Sequence, residues 1–262
     1  MKKILAIITC VLTLVVCLAG CGAQKEELVI GYTDYKPMNY TDESGNLVGF
    51  DTEFAQAVCK KLGCEPKFQL IEWNNKYMEL DGGTIDCVWN GFTYNCADDD
   101  GVQRKDKVDF SYAYMNNEQC VVVKADKLAT LNNKAALEGK RVSAENGSAG
   151  EGCAKNLIGE SGTYIGATAQ TDTLKELASG NVDFVVIDKT MAYSLIGKGD
   201  YAALAIADNI EIEGEQYAIG FKKGSDLTAK INDAIVALAE DGTLERLAEK
   251  YGLSNYLIKE YK

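Results

Sequence analysis

Short apolar runs alternate with amphipathic stretches along most of the chain. The run at residues 183–187 (Asp-Phe-Val-Val-Ile) is the clearest candidate for a buried strand, because its consecutive apolar side chains leave no polar face. Further strands are predicted at 28–30, 67–71, 86–89, 141–143 and 216–222.

The intervening stretches have the spacing of helices. Phe54, Val58 and Leu62 lie on one face of the first helix, which Asp51 is placed to cap and Gly63 to end. Strands that alternate with helices in this way imply an α/β fold with largely parallel sheets. Further helices are predicted over 74–80, 148–158, 171–179, 227–240 and 243–251.

The N-terminus has the layout of a secretory signal. Lys2 and Lys3 precede an apolar run at 4–16, which is too short to span a bilayer. The small residues before Cys21 resemble the lipobox of bacterial lipoproteins, so residues 1–20 are predicted to be a signal peptide and Cys21 the lipidated mature N-terminus. The alternative is an ordinary signal peptide in which Cys21 is incidental.

Charge and composition exclude several classes of function. The net charge of −12 would repel phosphate backbones, so nucleic-acid binding is not expected. The chain has no histidine and no C-x-x-C pair, which argues against a metal site, and no cofactor is expected. We favour mostly free thiols for the cysteines beyond Cys21, although disulfides are the alternative in an exported protein.

The order of several short motifs resembles the extracellular solute-binding proteins of amino-acid ABC transporters, the type II periplasmic-binding-protein family. Each motif is weak alone, but together they follow the family's order. The resemblance implies a two-lobed Venus-flytrap fold, with lobe 1 at 27–117 and 216–262, lobe 2 at 118–215, hinge strands at 119–124 and 216–222, and a ligand cleft between the lobes. The motifs lie at 31–40, 45–55 (with G-x-L-x-G-F-D), 83–87, 89–93, 108–111, 137–142, 146–148, 180–188, 241–244 and 250–252.

The same resemblance implies which residues hold the charged groups of an amino acid. Asp188 matches the acidic partner of the ligand ammonium, although an Asp at the end of a strand could instead cap the following helix. Ser148 and Ala149 match the loop that binds the carboxylate at a helix N-terminus, with a purely structural turn as the alternative. The first lobe should add Asn90, Gly91 and Thr93.

The family's carboxylate-clamping arginine is displaced here by a longer loop. Counting back from Phe110 places Arg104 in its position, whereas counting forward from Thr93 places Asp98 there. Arg104 could instead pair with an acid of its own loop in a solvated, weak arrangement. Tyr35 and Trp73 match the family's flanking aromatics, Asp34 is a candidate polar contact, and Trp89 fits either core or pocket wall.

These features predict a monomeric binding protein, not an enzyme. It would be lipid-anchored on the extracytoplasmic face of the cell membrane and would deliver an amino acid to an ABC transporter permease. A lipid-anchored ligand sensor is one alternative. A cyclohexadienyl dehydratase-like enzyme is another, which the absence of histidine and of paired carboxylates disfavours.

Overall fold

Strands and helices alternate along the chain as the hydrophobic pattern predicts. The computed structural model describes residues 26–261, so the predicted signal peptide and Cys21 lie outside the described residues. The strands are β1 Glu27–Tyr32, β2 Tyr40–Thr41, β3 Leu47–Val48, β4 Glu65–Leu70, β5 Cys87–Thr93, β6 Asp109–Phe110, β7 Met115–Lys124, β8 Arg141–Glu145, β9 Thr163–Ala167, β10 Phe184–Asp188, β11 Leu204–Ile206 and β12 Gly214–Phe221. The helices are α1 Phe50–Leu62, α2 Lys76–Gly82, α3 Arg104–Lys107, α4 Ala149–Ile158, α5 Gln170–Ser179, α6 Lys189–Leu195, α7 Leu227–Glu240 and α8 Thr243–Lys250.

Two groups of parallel strands are joined by a pair of long antiparallel strands. The order is β4-β1-β5-β12-β7-β10-β8-β9, with β4, β1 and β5 parallel to one another and β10, β8 and β9 parallel to one another. We call the part built on β4, β1 and β5 the first lobe and the part built on β10, β8 and β9 the second lobe. The predicted two-lobed α/β fold is confirmed.

Strand β7 belongs to both lobes. Residues 115–118 pair with β12, and residues 119–123 pair with β10, so the strand changes partner between Glu118 and Gln119. This change lies one residue from the predicted boundary at 117/118, and the exact lobe boundaries stay a prediction.

The core of the first lobe forms where α1 covers the sheet. Phe54 lies edge-on to Trp89 with 4.9 Å between ring centroids, and both side chains are fully buried. Trp89 is therefore a core residue rather than pocket wall. The six cysteines of the described part are free thiols, and Cys59, Cys87 and Cys120 are buried among apolar side chains.

Asp51 does not cap α1, so that prediction is wrong. The helix begins at Phe50 after Gly49, and no side chain within residues 26–261 caps it. Asp51 is buried instead, and its Oδ2 accepts hydrogen bonds from the Gly91 N–H at 2.8 Å and from the Tyr114 hydroxyl at 2.9 Å. Burial raises the pKa of Asp51 to about 7. The residue thus anchors the end of β5.

Replacing Asp51 by alanine removes the acceptor of two buried donors, and we expect the free energy of unfolding to fall by about 2–4 kcal/mol in urea denaturation. Asp51→Asn keeps an oxygen acceptor and should cost less. Because the folded state keeps a proton that the unfolded chain loses between about pH 4 and pH 7, wild-type stability should fall relative to Asp51→Asn as pH rises through that window. Parallel pH profiles for the two proteins would contradict this role.

Candidate functional site

The carboxyl ends of strands from both lobes meet around one cavity. Such strand ends are where ligands bind in open α/β sheets. Strand β5 contributes Asn90, Gly91 and Thr93, strand β8 contributes Glu145, and strand β10 contributes Asp188. The remaining lining residues are Trp73, Arg104, Gln119, Ser148, Ala149 and Gln170.

Most of the residues predicted to hold a ligand lie together here. That they contact a ligand stays a prediction. The fold does bring them together from separate parts of the chain. The predicted residues that line the cavity are Trp73, Asn90, Gly91, Thr93, Arg104, Ser148, Ala149 and Asp188.

The structure does not bring Tyr35 or Asp34 into this lining. Tyr35 is buried, and its hydroxyl lies 2.5 Å from Thr190 Oγ1 and 2.7 Å from the Tyr217 hydroxyl. The ring belongs to the apolar core, and its hydroxyl bonds an α6 residue that follows Asp188 by two positions. Asp34 lines a separate groove together with Lys36 and Tyr201.

Arg104 both lines the cavity and pairs with its own loop. Its Nε donates to Asp98 Oδ1 at 2.7 Å, Nη1 donates to the Thr93 carbonyl at 3.1 Å, and the guanidinium is only 1% exposed. The pair is therefore buried, not solvated as the alternative interpretation of the sequence supposed. Burial would raise the pKa of Asp98, but Arg104 and hydrogen bonds from Lys107 and Tyr77 outweigh it and lower the pKa to about 2.

The backbone carbonyl of Gly147 in the second lobe accepts three hydrogen bonds from the first lobe. The donors are Arg104 Nη2 at 3.0 Å, Trp73 Nε1 at 3.1 Å and Lys76 Nζ at 2.9 Å. The Lys76 ammonium lies 4.9 Å from the centre of the Trp73 ring and 4.7 Å from that of Tyr77, positions that favour cation–π contact. Burial, followed by the charge of Arg104, lowers the pKa of Lys76 to about 7.

The start of α4 is fixed by a reciprocal pair of hydrogen bonds. Ser148 Oγ accepts from the Glu151 N–H at 3.2 Å, while Glu151 Oε2 accepts from the Gly147 N–H at 2.6 Å. This arrangement resembles a capping box, except that Glu151 accepts from the residue before the N-cap, because the Ser148 N–H donates to the Glu145 carbonyl. Ser148 thus has the structural role that the sequence left open, and Ser148 and Ala149 at the start of this helix line the cavity.

The Asp188 carboxylate is held by side-chain amides and a hydroxyl. Its Oδ1 accepts from Asn117 Nδ2, Gln119 Nε2 and the Tyr217 hydroxyl, each at 2.7 Å, and Gln170 Nε2 donates to Oδ2. Although α6 follows directly, no hydrogen bond from that helix reaches the carboxylate within the described chain, so the capping alternative fails. Burial raises the pKa of Asp188.

Gln119, Glu145 and Gln170 line the cavity but were not predicted. The sequence carried a signal for Glu145, because it ends a strand directly before the loop that contains Gly147, much as Asp188 ends β10. The two glutamines carried none, since their role depends on long-range contact with Asp188.

The family model for bacterial extracellular solute-binding proteins, family 3, matches residues 28–254. The chain belongs to this family. Within the described residues, none of the helices combines the length and apolar character of a membrane span.

Its relatives are binding proteins. The arginine-binding extracellular protein ArtP of Bacillus subtilis (strain 168) is 31% identical over 235 residues, which cover 89% of each chain. The L-cystine-binding protein TcyJ of Escherichia coli (strain K12) is 30% identical, covering 83% of this chain and 79% of its own. The solved structure of an ancestral arginine-binding protein bound to arginine has a TM-score of 0.78 at 31% identity, covering 87% of this chain and 99% of that one. The described fold is thus that of two-lobed type II periplasmic binding proteins.

Removing the Arg104 guanidinium takes one buried donor from each of three acceptors, which are Asp98 and the carbonyls of Thr93 and Gly147. We expect Arg104→Ala to lower the free energy of unfolding by about 3 kcal/mol. The matched control is Arg141→Ala, whose ion pair with Asp183 is half-exposed and should cost less than about 1 kcal/mol. Equal losses in urea denaturation of the two variants would show that the buried pair does not hold this loop.

Proposed function

We propose that this protein captures a free amino acid between its lobes and delivers it to an ABC transporter permease. The observation that carries the proposal is the composition of the cavity. A guanidinium, a helix N-terminus and a buried carboxylate line the same space, and these groups complement the carboxylate and ammonium of an amino acid.

The carboxylate of the ligand would bind between Arg104 and the start of α4. A guanidinium has five N–H donors, and three of them are engaged with Asp98, Thr93 and Gly147. One N–H on each terminal nitrogen therefore remains, the pair that binds a carboxylate in a bidentate manner. Thr93 and the Ala149 N–H complete the site.

The ammonium would bind Asp188 at Oδ2, which accepts one protein hydrogen bond where Oδ1 accepts three.

The Asn90 amide is engaged with Asn39 and the Thr33 carbonyl, and the Gly91 N–H with Asp51. Asn90 and Gly91 would thus contact the ligand through their backbone carbonyls. Trp73 would cover the ligand from the first lobe, whereas ligand contacts for Asp34 and Tyr35 would require an arrangement different from this one.

Closure of the two lobes would bury the ligand and produce the form that docks on the permease. The protein would act as a monomer, held on the extracytoplasmic face of the membrane by lipid on Cys21 after removal of residues 1–20. Neither nucleic acid nor a cofactor takes part.

The first test is a thermal-shift panel of the common L-amino acids on the purified protein. A ligand at about 100 times its dissociation constant adds roughly 2.7 kcal/mol of stability, which is a clear rise in melting temperature. We expect a clear response to a chemically related subset. A flat panel would overturn amino-acid capture.

Two glycine variants separate lobe closure from backbone strain. Gly147 has φ +73°, and a Cβ there would lie 2.9 Å from Asn74 Oδ1 and 3.2 Å from Lys76 Nζ. Gly45 has φ +84° with nothing within 4 Å of its Cβ position. Both alanine variants should lose about 1 kcal/mol of stability, but only Gly147→Ala should weaken binding of the panel's best ligand, by about tenfold. Equal affinity in the two variants would mean that closure does not use this contact.

Lipidation of Cys21 is testable in cells. Bacteria fed labelled palmitate should incorporate it into the wild-type protein, which should sediment with membranes. Cys21→Ala should remove both label and sedimentation, while Cys64→Ala, a control within the fold, should change neither. Unlabelled wild-type protein released into the medium would show that Cys21 is incidental.

A further inference from the structure

One acidic group in the cavity has an oxygen with no hydrogen-bond partner among the described residues. Glu145 is only 3% exposed and lines the cavity, and among the described residues nothing hydrogen-bonds to its Oε1. A carboxylate removed from water without such bonds is costly, so a buried one ordinarily has a partner.

The contrast with Asp188 is informative. The amide groups of Gln119 and Gln170 both line the cavity, and both are directed at Asp188. The Asp188 carboxylate therefore has its hydrogen-bond donors, and the position that remains on it is the one proposed for the ligand ammonium. Within residues 26–261, Glu145 Oε1 receives no such donor, although this residue lines the same cavity.

The balance of charge around the cavity is also uneven. Arg104 forms an ion pair with Asp98, and the buried acids Asp188 and Glu215 accept hydrogen bonds from side-chain amides. Among these charged groups of the described residues, Glu145 is the one with neither an ion pair nor a hydrogen bond to its Oε1. The other charged groups that face Glu145 are Lys76 from α2 and Asp172 from α5, and no ion pair within the described chain joins Glu145 to either cation.

We propose that Glu145 binds the cationic end of the ligand's side chain, and that the ligand is an amino acid with a positively charged side chain. This inference rests on the proposed function and narrows it. A guanidinium or ammonium supplies several N–H donors and one positive charge, which are what Glu145 lacks.

The sharpest test compares arginine with citrulline, which has nearly the same shape but a neutral end. By titration calorimetry, the wild-type protein should bind arginine at least about tenfold more tightly than citrulline, the ratio expected of one charge-assisted hydrogen bond. Glu145→Gln should bring the ratio close to one, mainly by weakening arginine. Glu138→Gln makes the same charge change at an exposed site of the second lobe and should leave the ratio unchanged.

The pH dependence of that ratio gives a second readout. Burial and the neighbouring Asp188 raise the pKa of Glu145 to about 8, so without ligand the group holds a proton at neutral pH. A cation binds only the ionised form. The arginine-to-citrulline ratio should therefore rise between pH 6 and pH 8 more steeply in the wild type than in Glu145→Gln. Lys76, with a pKa of about 7, also loses its charge in this range and repels arginine less as it does so. The Glu145→Gln profile contains this contribution of Lys76, so the difference between the two profiles reports Glu145.

The outcomes separate this inference from the proposed function. If citrulline or glutamine binds as well as arginine, or if Glu145→Gln keeps the arginine preference, the inference is wrong and amino-acid capture stands. If Glu145→Gln changes only the melting temperature without ligand, Glu145 is an electrostatic contact between the lobes and the inference is again wrong. If no amino acid binds at all, the proposed function itself fails.

Discussion

The arrangement of the cavity depends on one backbone oxygen, the carbonyl of Gly147. Three side chains of the first lobe donate to it, and two of them, Trp73 and Arg104, also line the cavity. The loop that presents this oxygen is fixed from the other side by Glu151, which binds the Gly147 N–H. The first lobe therefore meets a rigid acceptor whose position is set by the start of α4. A side chain at residue 147 would lie against Asn74 and Lys76. The close approach of the two lobes at this loop therefore requires a glycine.

The architecture could be predicted from the sequence because it is encoded locally. Apolar strands, helix periodicity and the ends of helices each depend on a few neighbouring residues. The strand predicted at 183–187 appears as Phe184–Asp188, and the helix predicted over 227–240 appears with the same bounds. The helix predicted over 148–158 appears as Ala149–Ile158, with Ser148 as its N-cap. Asp51 is the exception, because a donor on β5 and the Tyr114 hydroxyl compete for the carboxylate that a local rule assigned to the helix.

The finer features of the cavity depend on contacts between distant segments. Tyr35 resembles a ligand-facing aromatic in sequence, but its hydroxyl finds Thr190 and Tyr217, which lie more than 150 residues away along the chain. Lys76 occupies a buried position that hydropathy would assign to an apolar residue, and the rings of Trp73 and Tyr77 together with the Gly147 carbonyl explain it. Buried polar side chains whose hydrogen-bond partners are distant in sequence produce no periodic pattern along the chain. Their roles can therefore be assigned only from the folded structure.

The change of partner within β7 has a mechanical consequence. One continuous strand runs from the sheet of the first lobe into that of the second, and β12 is hydrogen-bonded beside it up to Glu118. The ladder between β7 and β12 ends at Glu118, and the ladder between β7 and β10 begins at Gln119, so neither ladder crosses the junction between the lobes. A change in the angle between the lobes at this peptide would leave the backbone hydrogen bonds of both sheets intact, and the cost of opening would fall on the side-chain contacts across the cavity.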